Sequence, residues 1–394
     1  QPLFKHPPFF SACVSLSLRL FGEHYSSAAF VSAFFGVLMI VLTYWIGAFV
    51  FDETVGLAAA FLVWLDPVNI ITSQKIWMDT TASFFMLLAV FFFLRGIKYQ
   101  DTLDYAGFGL AAGCALLTKY TGILTLLSAG LYCALFQRKL LRQKAVLLCF
   151  AFPLGLLSPW LIWNYGVYGR AFFSQILDLH NLSTITVRSV SVSGFFVGIL
   201  FLMIAGLMLK GNNIQEKFRG VSPWLQNYKG RKSVVLGLGL IVGGGILFPV
   251  FALNYRPATY WDPGHFSGES SFFYLKRLPE FSLFYCVSFL AFFFRLNTRD
   301  RKGPLIIKLF SGVILVFFSL WKNYQTRYVL AATPLLLILG AALWVQVIQG
   351  ALASPHVRLK HMGGLAALLL SAYCLFKIFY VNMTVSFPND MCYF

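Results

Sequence analysis

Residues 28–50 read AAFVSAFFGVLMIVLTYWIGAFV, twenty-three positions without a charged side chain. As a helix this stretch rises about 34 Å, enough to cross a hydrocarbon core roughly 30 Å thick. A helix satisfies its own backbone groups, so its outward apolar residues can face lipid. The same reading recurs along the chain and predicts twelve spans: 28–50, 55–72, 80–95, 104–118, 121–136, 145–163, 193–210, 233–252, 281–295, 304–320, 328–349 and 363–381. The fold class expected is all-α, a polytopic transmembrane helix bundle forming one domain over 1–394. Its ends are a leading outer segment, 1–27, and an outer tail, 382–394.

Composition agrees with that reading. The chain has 394 residues, 59% hydrophobic and 11% charged, with a mean hydropathy of +0.75 and 43 Phe. Soluble domains average about 45–50% apolar and about 25% charged. A water-soluble enzyme, a disordered regulator and a disulfide-stapled secreted module are therefore excluded. Five of the cysteines, Cys114, Cys133, Cys149, Cys286 and Cys374, fall in or beside apolar runs and read as packing residues. Cys13 and Cys392 lie outside the spans, without metal or redox spacing.

The net charge of +17 does not indicate a nucleic-acid partner, because the bases sit in short segments between apolar runs. Alternate connections hold most of them: Arg95 and Lys98, then QRKLLRQK (137–144), then six bases between Lys210 and Lys232. Arg295, Arg299, Arg301, Lys302 and Lys308 follow, with Arg358 and Lys360 last. These connections carry nineteen basic and six acidic residues, which marks them as cytoplasmic. Both termini and the sequons at Asn181 and Asn382 then fall on the other side. The outer connections mix both charge signs with aromatics, amides and His. Two of them, 164–192 and 253–280, are long enough to suggest a function.

Several outer residues are of the right type for transfer chemistry. Lys5-His6-Pro7-Pro8 precedes FFSACVSLSLRLFG, an amphipathic helix expected to lie in the outer interface. Asp79 opens the third span. It reads either as a carboxylate favoured by the helix N-terminus, with Thr80 and Thr81 as capping neighbours, or as a group that takes a proton from a hydroxyl. Lys119, in LLTKYTG, is either a snorkelling lysine or an anion clamp. WKNYQTRY (321–328) brings Lys322, Asn323, Gln325, Arg327 and Tyr328 into a tight connection. There Arg327, entering the next helix, would oppose the helix dipole unless an anion binds. The 253–280 loop supplies Tyr255, Arg256, Trp261, Asp262, His265 and Glu269, a mixture suited to stacking on and hydrogen-bonding a sugar or acceptor. Asp262 and His265 could ligate a divalent metal, but no third ligand is evident. The 164–192 loop adds Asn164, Tyr165, Asp178 and His180.

Taken in order, His6-Pro7-Pro8, the LFG…AFFGVLMIVLTYWIG stretch, FDETVGLAAAFLVWLDP with the following Asp79, LLTKYTG and KNYQTRYVLAATP resemble one family. They are similar to GT-C glycosyltransferases of the protein O-mannosyltransferase and aminoarabinose-transferase type, which use polyprenyl-phosphate sugars. The resemblance implies inverting transfer of a sugar to an acceptor hydroxyl or amine on a glycan, lipid or protein, within the membrane lipid. It implies that Asp79 activates the acceptor. It further implies that Lys5, His6, Lys119, Arg327 and Tyr328 hold the lipid phosphate. The family's first helix and its opening Asp would precede Gln1, so thirteen spans are expected in a complete chain. No large soluble outer domain is recognisable, and the resemblance therefore selects no acceptor. No cofactor is fixed by it, and a divalent metal stays open. The expected location is a bacterial inner membrane with the site facing outward, or alternatively the endoplasmic reticulum. A secondary transporter and a non-catalytic lipid-binding homologue are the competing readings; transporters bind near the bilayer midplane and often show repeated halves, whereas here the ionisable groups cluster at one face and no halves match.

Overall fold

The computed structural model describes residues 6–169, 172, 273–298, 300–320, 325–352 and short pieces of 364–376. Every regular element among these residues is helical. In chain order they are α1 (Phe9–Phe21), α2 (Tyr25–Val50), α3 (Glu53–Leu65), α4 (Pro67–Ser73), α5 (Met78–Tyr99) and α6 (Thr102–Thr118). There follow α7 (Ile123–Phe136), α8 (Lys144–Tyr168), α9 (Phe273–Phe281), α10 (Phe284–Ala291), α11 (Lys302–Leu320) and α12 (Thr333–Leu352). Five of these are long and apolar enough to cross a membrane, and the bent pair α3–α4 makes a sixth. The protein is a multi-pass membrane protein.

Helix α2 shows how the sequence is partitioned between lipid and protein. Phe30, Phe34, Val37, Val41 and Trp45 follow helical spacing and are exposed, which is a lipid-facing stripe. Val31, Phe35, Met39, Leu42, Ile46 and Val50 are buried on the opposite face. The centre of the bundle is α12, where every residue from Leu335 to Ala342 is buried. It packs on α2, α3, α10 and α11. Beside it, α5 meets α6, α7 and α11 through Phe93, whose ring contacts those of Phe108, Tyr132 and Phe310 at 5.3–5.6 Å.

Side chains punctuate the helices where the apolar pattern stops. The Val55 N–H donates to Asp52 Oδ1 (2.9 Å) at the start of α3, and the Leu103 N–H to Asp101 Oδ1 (3.1 Å) at the start of α6. The stretch read as one span over 55–72 is in fact two helices bent by 56° at Asp66–Pro67. Pro67 lacks the N–H that a continuous helix would need, and Asp66 caps the new helix by accepting from the Asn69 N–H (3.2 Å). Asp66 itself is buried and accepts a 2.9 Å hydrogen bond from the Tyr285 hydroxyl of α10.

Other expectations need correction. Over 281–295 the helix runs only from Phe284 to Ala291, about 12 Å and too short to cross alone. Its free carbonyl end is met by Lys308, whose ammonium donates to the carbonyls of Phe292 (3.2 Å) and Phe294 (2.9 Å). Lys308 is thus a buried residue of α11 rather than an orienting loop base. The long connections are also partly helical. Asn164 and Tyr165 lie on α8, and the 253–280 segment enters α9 at Phe273. The spans expected at 193–210 and 233–252 lie outside the described residues, as does most of 363–381.

The α2–α3 hairpin depends on two glycines. A β-carbon on Gly47 would lie 2.8 Å from the Gly56 α-carbon, and one on Gly56 would lie 2.7 Å from the Tyr44 carbonyl oxygen. Small residues allow such backbone approach between membrane helices. Gly56→Val should therefore lower stability by about 1–3 kcal/mol, read as a reduced thermal midpoint in detergent. An unchanged midpoint would show that the hairpin opens without cost.

Candidate functional site

The α5 N-terminus, the α6 C-terminus and the turn before α12 converge at one end of the bundle. Connection 74–77 leads into α5 through Trp77, whose backbone is extended and whose carbonyl accepts from the Ser32 hydroxyl of α2 (3.0 Å). Asp79 follows in the first turn of α5, where the helix dipole favours a carboxylate. Thr80 and Thr81 do not cap this helix. The cap residue, Trp77, makes no side-chain cap hydrogen bond, and both threonines are fully buried.

Lys119 terminates α6, in extended conformation. The chain then reverses in a 3-10 turn, Tyr120–Gly122. Gly122 is needed there, because a β-carbon would lie 2.7 Å from the Ala115 carbonyl carbon. This reversal delivers the Lys119 ammonium to Asp79, where Nζ donates to Oδ1 at 2.7 Å. The two side chains are 12% and 8% exposed, so this is a buried ion pair and not a surface contact. Lys119, Arg327 and His6 all lie close enough to act electrostatically on the Asp79 carboxylate.

Arg327 and Tyr328 sit in a 3-10 turn, Thr326–Val329, ahead of α12. Since α12 begins at Thr333, Arg327 does not oppose its dipole as the sequence suggested. Its guanidinium rests 4.4 Å from the Trp77 ring centre and 5.7 Å from that of Tyr328, and its Nε donates to Gln325 Oε1 (2.7 Å). Among the described residues no carboxylate forms an ion pair with Arg327. The Tyr328 ring also carries the Lys119 ammonium, 4.5 Å from its centre, and stacks on Phe318 of α11 (5.4 Å, 27°). Burial pushes the Tyr328 phenol above its ordinary pKa, assisted by the Asp79 charge and opposed by Arg327. Tyr328 is therefore a neutral hydroxyl at pH 7. From α9, the Tyr274 hydroxyl donates to the Gln325 carbonyl (3.1 Å) and steadies the turn.

The structure thus gathers Asp79, His6, Lys119, Arg327 and Tyr328, which are far apart in sequence. Lys5, Tyr255, Arg256, Trp261, Asp262, His265 and Glu269 lie outside the described residues, as do Lys322 and Asn323. Among the described residues no group of three His, Cys, Asp or Glu is placed to hold a metal. Sequence reasoning missed Trp77, although it lies two positions before Asp79. It also passed over Asp66, an acid inside an apolar run and so a signal in its own right. A further unforeseen contact is the Trp160 indole N–H of α8, which donates to the Tyr120 hydroxyl (3.1 Å) beside Lys119.

This helical arrangement shares its fold with the solved structures of ArnT and AglB. Residues 5–163 match the family described as dolichyl-phosphate-mannose-protein mannosyltransferase. ArnT from Cupriavidus metallidurans is similar in structure in its apo state, at 16% identity and TM-score 0.53, over 96% of this chain and 64% of that one. The same protein bound to undecaprenyl phosphate gives 16% identity and TM-score 0.54, over 96% and 62%. The archaeal oligosaccharyltransferase AglB from Archaeoglobus fulgidus, in complex with an inhibitory peptide and a dolichol-phosphate, gives 15% identity and TM-score 0.53, over 96% and 47%. The chain therefore spans less than two thirds of the length of these structures. No curated protein sequence matches it.

Removing one partner of a buried ion pair leaves an uncompensated charge, which is costly. Lys119→Met should lower stability by about 3 kcal/mol, and adding Asp79→Asn should restore much of the loss. Thermal unfolding of both variants in detergent checks this. Equal losses in the single and double variants would show that the pair carries no coupling.

Proposed function

We propose that this protein transfers a sugar from a polyprenyl-phosphate donor to an acceptor hydroxyl or amine, with inversion, at the non-cytoplasmic face of its membrane. The observation that carries the reading is the site itself. A buried carboxylate, Asp79, shares one cluster with two cations, and Arg327 has no carboxylate ion pair among the described residues. Support for the donor class comes from the GT-C fold and from structural relatives that carry undecaprenyl phosphate and dolichol-phosphate.

The chemistry follows from the charges. Breaking the bond between the anomeric carbon and a lipid phosphate leaves negative charge on the phosphate oxygens. Cations already fixed in place stabilise that charge without further reorganisation. Arg327 and Lys119 take this role, with His6, Lys5 and the Tyr328 hydroxyl contributing. On the other side of the sugar, the acceptor needs a base and a fixed line of attack, and Asp79 supplies both. One displacement at the anomeric carbon inverts its configuration. Phosphate binding draws Lys119 toward the donor and so releases the Asp79 oxygen that the acceptor needs. The loop residues Tyr255, Arg256, Trp261, Asp262, His265 and Glu269 are assigned to the sugar and acceptor.

The site's orientation rests on the basic connections, which gather at the opposite ends of the spans. A bacterial inner membrane fits this orientation, with the site facing the periplasm.

Arg327→Ala and Asp79→Asn should each lower transfer from a polyprenyl-phosphate sugar by at least about 100-fold in reconstituted protein, the scale of lost charge stabilisation or a lost base. Formation of labelled product is the measurement. Unchanged rates in both variants would reject the assigned roles.

A further inference from the structure

We infer that Trp77 is a positioning residue of the anion site, holding the Arg327 guanidinium on its indole face without neutralising it. The inference rests on the reading of Arg327 as a phosphate ligand. Three ion pairs occur among the described residues: Arg95–Asp104, Lys119–Asp79 and Arg277–Glu280. In each a carboxylate fixes the cation and cancels its charge. Arg327 is fixed differently. Its guanidinium carbon lies 4.4 Å from the centre of the Trp77 ring, and its Nε is occupied by the Gln325 side-chain oxygen at 2.7 Å.

Both supports are neutral, which matters for an anion site. An aromatic face attracts a cation through the ring quadrupole. It supplies no full negative charge to repel an incoming phosphate or compete for the guanidinium. A carboxylate in the place of Trp77 would do both. The two terminal nitrogens of Arg327 are not the atoms bound by Gln325, and a guanidinium with its plane fixed presents them in the fork geometry that suits phosphate oxygens.

The supports are themselves anchored on different parts of the chain. The Trp77 carbonyl accepts from Ser32 of α2, and the Gln325 carbonyl accepts from Tyr274 of α9. Tyr328, the second ring near Arg327, is backed by Phe318 of α11. The guanidinium is thereby registered against both the N-terminal helices and those around α12. It meets Trp77 just two residues before Asp79, so the same short segment sets the position of the acid and of the cation.

The test uses the full chain in lipid nanodiscs and undecaprenyl phosphate as the probe, with its Kd measured for each variant. Trp77→Leu keeps apolar bulk but removes the ring. It should weaken binding about 5- to 30-fold, whereas Trp77→Phe should remain within about threefold of the parent. On an Arg327→Ala background, Trp77→Leu should add no further loss, because a positioning residue has nothing left to position. The same loss on both backgrounds would overturn the inference, since Trp77 would then act on lipid or fold independently of Arg327. So would a Trp77→Phe variant that is folded and monodisperse but binds as poorly as Trp77→Leu. If Arg327→Ala alone binds undecaprenyl phosphate like the parent, the phosphate-site reading falls first and takes this inference with it. A defective Arg327→Ala with normal Trp77→Leu overturns only the inference.

Discussion

Asp79 and Lys119 form the contact on which the site depends. A carboxylate and an ammonium 2.7 Å apart, both almost withdrawn from water, cannot each be placed independently. Ionised groups in a low-dielectric setting are tolerated only when paired or hydrogen-bonded. Asp79 therefore requires that α6 end level with the start of α5, and that the chain turn back at Gly122 instead of continuing upward. The long α5–α6 interface, with its second ion pair between Arg95 and Asp104 at the far end, holds the two helices in that register.

Aromatic rings complete the support of the cations at this pair. Lys119 lies over Tyr328, and Arg327 over Trp77. Such contacts are each worth about 0.5–2 kcal/mol, less than a buried ion pair left broken would cost. For Arg327, which has no carboxylate ion pair among the described residues, the Trp77 face fixes the cation and leaves its charge uncancelled. A site of this kind suits an anion whose charge grows as a bond breaks. The high Phe, Trp and Tyr content of the chain is thus not only lipid-facing bulk, because part of it builds the walls of the charged end.

Much of the fold was legible because a membrane restricts the choices. Long uncharged runs must be helices, so α2, α5, α8, α11 and α12 are recognisable from length and composition. What misled the reading were places where tertiary contacts replace the lost backbone partners. The 55–72 run breaks because Asp66 caps α4 and Tyr285 satisfies its other oxygen. The 281–295 run stops early because Lys308 takes up its carbonyls. Asp66-Pro67 marks the first break locally, but Tyr285 and Lys308, which satisfy the freed groups, are not near in sequence.

The candidate site divides in the same way. The sequence by itself determined an all-helical membrane protein and offered charged and polar candidates in Asp79, His6, Lys119, Arg327 and Tyr328. Those features follow from hydropathy, charge and side-chain chemistry, which are local properties. Only the tertiary structure decided that Asp79 meets Lys119, that Tyr328 lies beneath Lys119, and that Arg327 leans on Trp77. Contacts between residues 40 to about 250 positions apart depend on how helices pack and where turns end. Packing is settled by the whole bundle at once, as the mutual burial of α2, α3, α5 and α12 shows.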